Sequence, residues 1–188
     1  MSSIRHISEQ ADVLLDAARH CILAVGWKRT TLTDVARRAG VSRMTLYRRW
    51  PDMQTLLADL MAREWADMVA DPRDEPAAGV TRTVRTLRDN ALFRRIVDVD
   101  PELLLPYLLD RRGRTQDAML QRLTARLGES QRAGTVRAGD PALLARTLLL
   151  AAYGFALSAH TMTGDPDEPT LEHLDAELEL LAERYLAP

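Results

Sequence analysis

Apolar positions recur along this chain at intervals of three and four residues, and strand-type alternation is scarce. Over 8–25 the set Ala11, Leu14, Leu15, Ala18, Ile22 and Val25 falls on one helical face. Ser8 is its expected N-cap and Gly26 its stop. Two short helices follow within 31–50. A fourth is expected from Asp52 to about Ala70, where Leu57, Met61, Trp65 and Met68 repeat at spacings of four, four and three. The stretch 71–79 holds two prolines and reads as a loop. Helices near 80–97, 101–111 and 115–132 come next, separated at Asp100-Pro101 and at Arg111-Arg112-Gly113. Asp140-Pro141 opens another, with Asp as the cap and Pro at the first helical position. It runs to about Met162 and is apolar on nearly every side, the pattern of a helix buried all round. The acidic, proline-rich stretch from Gly164 to Pro169 ends it. The last helix, about 170–186, places Leu171, Leu174, Leu178, Leu181 and Tyr185 at spacings of three, four, three and four, a packing seam of coiled-coil type. The expected fold is all-α, with about nine helices.

Residues 31–50 read TLTDVARRAGVSRMTLYRRW. Thr31 and Asp34 make a capping-box start, with Asp where Glu or Gln is usual. Val35, Ala36 and Ala39 then face one side, and Ala36 is small enough for a second helix to pass close by. Gly40 supplies the positive φ of a sharp turn, Val41 fills the gap between the helices, Ser42 caps the next helix and Leu46 anchors it. Two helices joined by a short turn containing Gly form a helix-turn-helix, whose second helix enters the DNA major groove. On that second helix Met44 and Arg48 share a face, pointing away from Leu46, and Arg43 and Tyr47 form a pair beside it. Arginine grips guanine or phosphate bidentately.

Charge sharpens this reading. The chain has a net charge of −2, yet within 27–50 Lys28, Arg29, Arg37, Arg38, Arg43, Arg48 and Arg49 stand against Asp34 alone, a local +6. An anionic partner is implied for that end of the chain.

The same segment strongly resembles the TetR (tetracycline-repressor) family of bacterial regulators. The resemblance rests on Thr31-Leu32-Thr33-Asp34-Val35-Ala36, Ala39-Gly40-Val41-Ser42, Thr45-Leu46-Tyr47, the aromatic Trp50, and Leu56-Leu57 in the following helix. It covers about residues 8–60; beyond these, only helix number and length agree. It implies a DNA-binding head over 1–51 and a ligand-binding and dimerisation body over 52–188. It implies that Thr31 and Tyr47 touch the phosphate backbone and that Arg43, Met44, Thr45 and Arg48 face the groove. Ser42 and Arg49 complete the expected DNA-contacting set. Two positions depart from the family pattern: glycine or proline is common where Met44 stands, and a phosphate-binding lysine is common where Met53 stands. Arg49 is the expected substitute for that lysine. Trp50 in place of phenylalanine is a packing variation. The resemblance further implies a homodimer in which the last two helices meet their symmetry mates as a four-helix bundle. That dimer would sit on a palindromic operator in double-stranded DNA.

The larger part of the chain holds most of the few aromatics, which are 5% of the residues. Trp65, Phe93, Tyr107, Met119 and Tyr153 are the candidate lining for a small, largely apolar effector. The reading is therefore a transcriptional regulator, a repressor released from its operator by that ligand. The alternative is a helical ligand-binding or scaffold protein with a vestigial DNA head. No Gly-rich phosphate loop, nucleophile elbow or His-Glu-x-x-His pattern is present. His6, His20 and His173 are too scattered to form a metal site with Cys21, the single cysteine. No enzyme activity and no cofactor are expected. The lone cysteine, and the lack of a leader or an uninterrupted apolar span, lead to the expectation of a soluble cytoplasmic protein with no membrane partner.

Overall fold

The computed structural model describes residues 2–66 and 75–188, with only the backbone of 2–9. These residues are all-helical. The helices are α1 (Ser2–Val25), α2 (Leu32–Arg38), α3 (Arg43–Arg49), α4 (Met53–Ala66), α5 (Pro76–Asp89), α6 (Ala91–Val99), α7 (Leu105–Leu109), α8 (Arg114–Arg132), α9 (Pro141–Ser158) and α10 (Leu171–Leu186). Short 3-10 turns at Pro101–Leu103 and Ala159–Met162 follow α6 and α9.

Several boundaries differ from expectation. Helix α1 runs back through Ser8, because nothing between Ser2 and Glu9 is a helix breaker. Pro76 begins α5 rather than belonging to a loop, since proline at a first helical position forfeits no intrahelical hydrogen bond. The helix expected over 80–97 breaks at Asn90, which is extended and closes α5 by donating its N–H to the Leu87 carbonyl. Adjacent Asp89 and Asn90 compete with helical backbone bonding, which favours a break there. The segment expected as one helix over 101–111 is a 3-10 turn followed by the short α7. The expected end of the fourth helix, with Met68, and the loop residues 71–74 lie outside the described residues.

The helices gather into two compact units: one holds α1–α4 with Ala91–Arg112, the other α5 with Gly113–Pro188. In the first, Leu14, Ala18 and Ile22 of α1 pack with Val35 and Ala36 of α2, Leu46 of α3, Leu56 and Leu60 of α4, and Leu92 and Ile96 of α6. The turn after α1 is fastened from the end of α6. Gly26, at φ 86°, lies so close to it that a Cβ there would meet Asp100 Oδ2 and Val99 Cγ1 at 3.1 Å. The Asp100 carboxylate, on a residue only 2% exposed, accepts the Trp27 N–H at 2.7 Å. Lys28 Nζ pairs with Glu102 Oε1 at 2.7 Å on the rim of the same contact.

In the second unit, Leu144, Ala145 and Leu148 of α9 pack with Ala77 and Val80 of α5, Leu120 and Leu127 of α8, and Ala182 and Leu186 of α10. Asp175, buried on α10, receives Arg85 at 2.8 Å and also Arg88, so the carboxylate is charge-paired twice. Arg137 donates to the Tyr185 and Leu186 carbonyls at 2.7 and 2.8 Å, satisfying the end of α10.

Within a single subunit, neither of these helices is buried as fully as its pattern implies. Helix α9 is not buried all round, since Leu143 and Leu150 are largely exposed. Pro141–Met162 is long and apolar enough to cross a membrane, yet its Leu144–Leu148 face is buried in the unit. The leucine seam of α10 also splits. Leu178 is fully buried in line with Asp175, Ala182 and Leu186, whereas Leu181 points outward. A charge-paired aspartate and a small alanine complete the inward stripe, and neither registers as a large apolar position.

Candidate nucleic-acid interface

The helix-turn-helix is built from local chemistry. Thr31, extended at φ −117°, caps α2: its Oγ1 accepts the Asp34 N–H at 3.2 Å and donates to Asp34 Oδ2 at 2.6 Å. The Thr31 N–H donates to the same carboxylate oxygen at 3.2 Å, closing a capping box with the shorter acid. The Thr31 hydroxyl bond, the Thr31 backbone bond and nearby Arg37 together hold the Asp34 carboxyl below its usual range. Past the end of α2, Gly40 takes φ 68°. Val41 N–H then reaches the Ala36 carbonyl at 3.0 Å and Gly40 N–H the Arg37 carbonyl at 3.3 Å, a Schellman arrangement. Ser42 caps α3, with Oγ accepting the Thr45 N–H at 3.1 Å and lying 2.9 Å from Thr45 Oγ1.

Helix α3 is held from one side. Leu46 is wholly buried, Val41 packs half-buried beside the core, and buried Trp50 donates Nε1 to Asp59 Oδ2 at 2.8 Å. The rest of its surface is open: Ser42, Arg43, Met44, Tyr47, Arg48 and Arg49 are exposed, while Thr45 is half-buried. At about 100° per residue, Met44 lies about 160° round the helix from Leu46, with Arg48 about 40° to one side of it and Tyr47 about 60° to the other. Among the described residues, no carboxylate pairs with Arg43, Arg48 or Arg49, whereas Lys28 pairs with Glu102 and Arg37 with Asp34 at 2.8 Å. Arg49 lies over the Trp50 ring at 5.1 Å. Three arginines without a carboxylate partner among the described residues thus stand on α3 itself.

Of the sequence-predicted contacts, Arg43, Met44, Tyr47 and Arg48 share the open surface. The Thr31 hydroxyl is already engaged within its cap. Met53, standing where a lysine is common, packs half-buried against the core. Asp52 caps α4 by accepting from the Thr55 N–H and hydroxyl at 2.7 and 2.8 Å. Of the effector candidates, Trp65 and Phe93 meet edge to face in the first unit, with ring centroids 6.4 Å apart. Trp65 Nε1 is buried with no partner among the described residues. Tyr107, in the same unit, is exposed beneath the Arg111 guanidinium at 5.6 Å. Met119 and Tyr153 belong to the second unit, where Gln116 Nε2 donates to the Tyr153 hydroxyl at 2.6 Å. Asp100 escaped the sequence reading, because an Asp-Pro pair signals a helix break and says nothing of what the aspartate holds.

Residues 14–60 match the family model for bacterial regulatory proteins of the tetR family. The HTH-type transcriptional regulator Rv2250c of Mycobacterium tuberculosis is 35% identical over 164 residues, 84% of this chain and 86% of that protein. This chain belongs to the TetR family. It is a helix-turn-helix DNA-binding transcriptional regulator. Its fold matches that of a TetR-family regulator from Rhodococcus sp. at a TM-score of 0.72 and 21% identity, covering 96% of this chain and 100% of that one. It also matches SmeT, the repressor of the Stenotrophomonas maltophilia multidrug efflux pump SmeDEF, at a TM-score of 0.65 and 23% identity, covering 95% and 90% of the two chains. Helices α2 and α3, both within the matched residues, are this chain's helix-turn-helix pair.

Proposed function

We propose that this TetR-family regulator is a cytoplasmic repressor that occupies a palindromic operator as a homodimer and leaves it when a small, largely apolar molecule binds. The observation that carries the reading is the polarity of α3: Leu46 buried on one side, Met44, Tyr47 and Arg48 open on the other, and Arg43 exposed at the flank. A helix so anchored can enter the major groove without disturbing its own core. Arg43 and Arg48 are assigned to guanine edges or phosphates, Thr45 to the groove beside them, and Tyr47, Ser42 and Arg49 to the surrounding backbone. Thr31 contributes by fixing the start of α2, and its hydroxyl reaches phosphate only by releasing Asp34.

A two-fold dimer turns one such head into a symmetric reader. The outward leucines of α9 and α10, namely Leu143, Leu150, Leu180 and Leu181, support these helices as the dimer interface. Residues 1–51 are read as the reading head and 52–188 as the effector-binding and dimerisation body. Trp65, whose Nε1 has no partner among the described residues, is with Phe93 the favoured effector contact; Tyr107, Met119 and Tyr153 are separate candidates, each to be substituted singly. The fold is shared with SmeT, itself a repressor.

The test is selection of bound duplexes from a random pool, then operator titration with compounds that raise the melting temperature. A palindrome bound by dimers, and released by at least one stabilising compound, supports the proposal. An absence of sequence enrichment would favour a ligand-binding protein with a vestigial head.

A further inference from the structure

We propose that Met44 reads thymine, its thioether side chain covering the 5-methyl group of one thymine in each operator half-site. The inference deepens the proposed function and rests on α3 being the helix that enters the groove. Met44 is 76% exposed, one of the most exposed large apolar side chains among the described residues. It does not hold α3 in place, since that is done by Leu46, Val41 and Trp50. Nor does it lie at an edge. It is central on the open face, with Arg48 about 40° to one side and Tyr47 about 60° to the other. The Ser42 and Thr45 hydroxyls, 2.9 Å apart, fasten the first turn around it.

Arg43, Arg48 and Tyr47 carry hydrogen-bonding groups suited to phosphates and base edges. Met44 offers no donor and only a weak acceptor. Laid against the polar edge of guanine, cytosine or adenine, its chain would strip water from groups it cannot satisfy. The major groove presents one apolar group, the thymine 5-methyl, and an unbranched, polarizable side chain is well suited to cover it. An apolar tip between Arg48 and Tyr47 therefore fits a thymine next to a guanine or a phosphate.

The experiment uses the full-length protein and the duplex obtained by selection. Each thymine of a half-site is replaced in turn by deoxyuridine, which removes only the methyl group. At one position per half-site the wild-type protein should lose about fourfold in affinity, the worth of one buried methyl. Met44→Ala should bind the thymine duplex several-fold more weakly and be indifferent to deoxyuridine at that position, whereas Met44→Leu should keep the discrimination. Met44 is exposed, so these variants should melt with the wild type. If deoxyuridine changes nothing while binding stays sequence-specific, the assignment of Met44 is overturned and α3 remains the reading helix. Met44→Ala retaining the full deoxyuridine effect also overturns it. If no duplex is preferred at all, the reading of α3 fails and takes this inference with it.

Discussion

Asp100 and Asp34 show how single carboxylates shape the reading head. Asp100 is the buried acceptor for the Trp27 N–H, so Asp100→Ala strands a donor beside Gly26. An unsatisfied buried donor costs about 1–3 kcal/mol, so the urea midpoint should fall accordingly. Asp100→Asn keeps an acceptor and should recover most of the loss; equal losses in both variants would mean the charge matters rather than the acceptor. Asp34 works through its lowered pKa. The Thr31 hydroxyl bond is the largest cause, and the depression means that ionised Asp34 stabilises the fold. That contribution is complete above the ordinary carboxylate pKa and disappears as pH falls through the lowered value. The stability difference between wild type and Asp34→Asn should therefore be constant near neutrality and shrink in strong acid, as read by thermal melts across pH. A difference unchanged down to the acid limit would contradict the capping role.

At the level of elements, Gly40 is the joint between α2 and α3. At φ 68° an added Cβ meets no atom within 4 Å, so the penalty in Gly40→Ala is backbone strain alone, about 1–2 kcal/mol. Circular-dichroism melts should show that loss, and a neutral substitution would mean the turn adopts another conformation. This joint was legible in the sequence because its determinants are local: a capping pair, a glycine and an anchor lie within twenty residues. The Arg43–Tyr47 and Met44–Arg48 pairs could be placed on the open surface for the same reason. Ser8, Pro76 and Asn90 were not, since each is a residue whose effect depends on whether its neighbours continue the helix. The Asp100 contact was hidden for a different reason. It joins positions 73 residues apart, and no local pattern encodes such a pairing.

For the whole molecule, the outward leucines decide between two readings of the last helices. Leu150 is 69% exposed and Leu178 wholly buried. Leu150→Glu should leave each subunit folded but place an unpaired charge in the proposed interface, giving monomers by light scattering. Leu178→Glu should instead unfold the protein, because the charge enters the subunit's own core. A dimeric Leu150→Glu would move the interface elsewhere on the surface. The seam of α10 misled the sequence reading because periodicity marks which residues are apolar without telling an internal face from one that meets a second copy.

The most direct measurement is fluorescence anisotropy of the selected duplex and a scrambled one, titrated with wild type and Arg48→Ala over a range of salt concentrations. The open α3 face predicts strong preference for the selected duplex and a linear fall of log affinity with log salt, as counterions are displaced from phosphates. Arg48→Ala should lose about 1–3 kcal/mol on the selected duplex if its guanidinium reads a base edge, and much less on the scrambled one. Equal affinity of the wild type for both duplexes, or an Arg48→Ala variant indistinguishable from it at every salt concentration, would contradict the assignment of α3 as the sequence-reading helix.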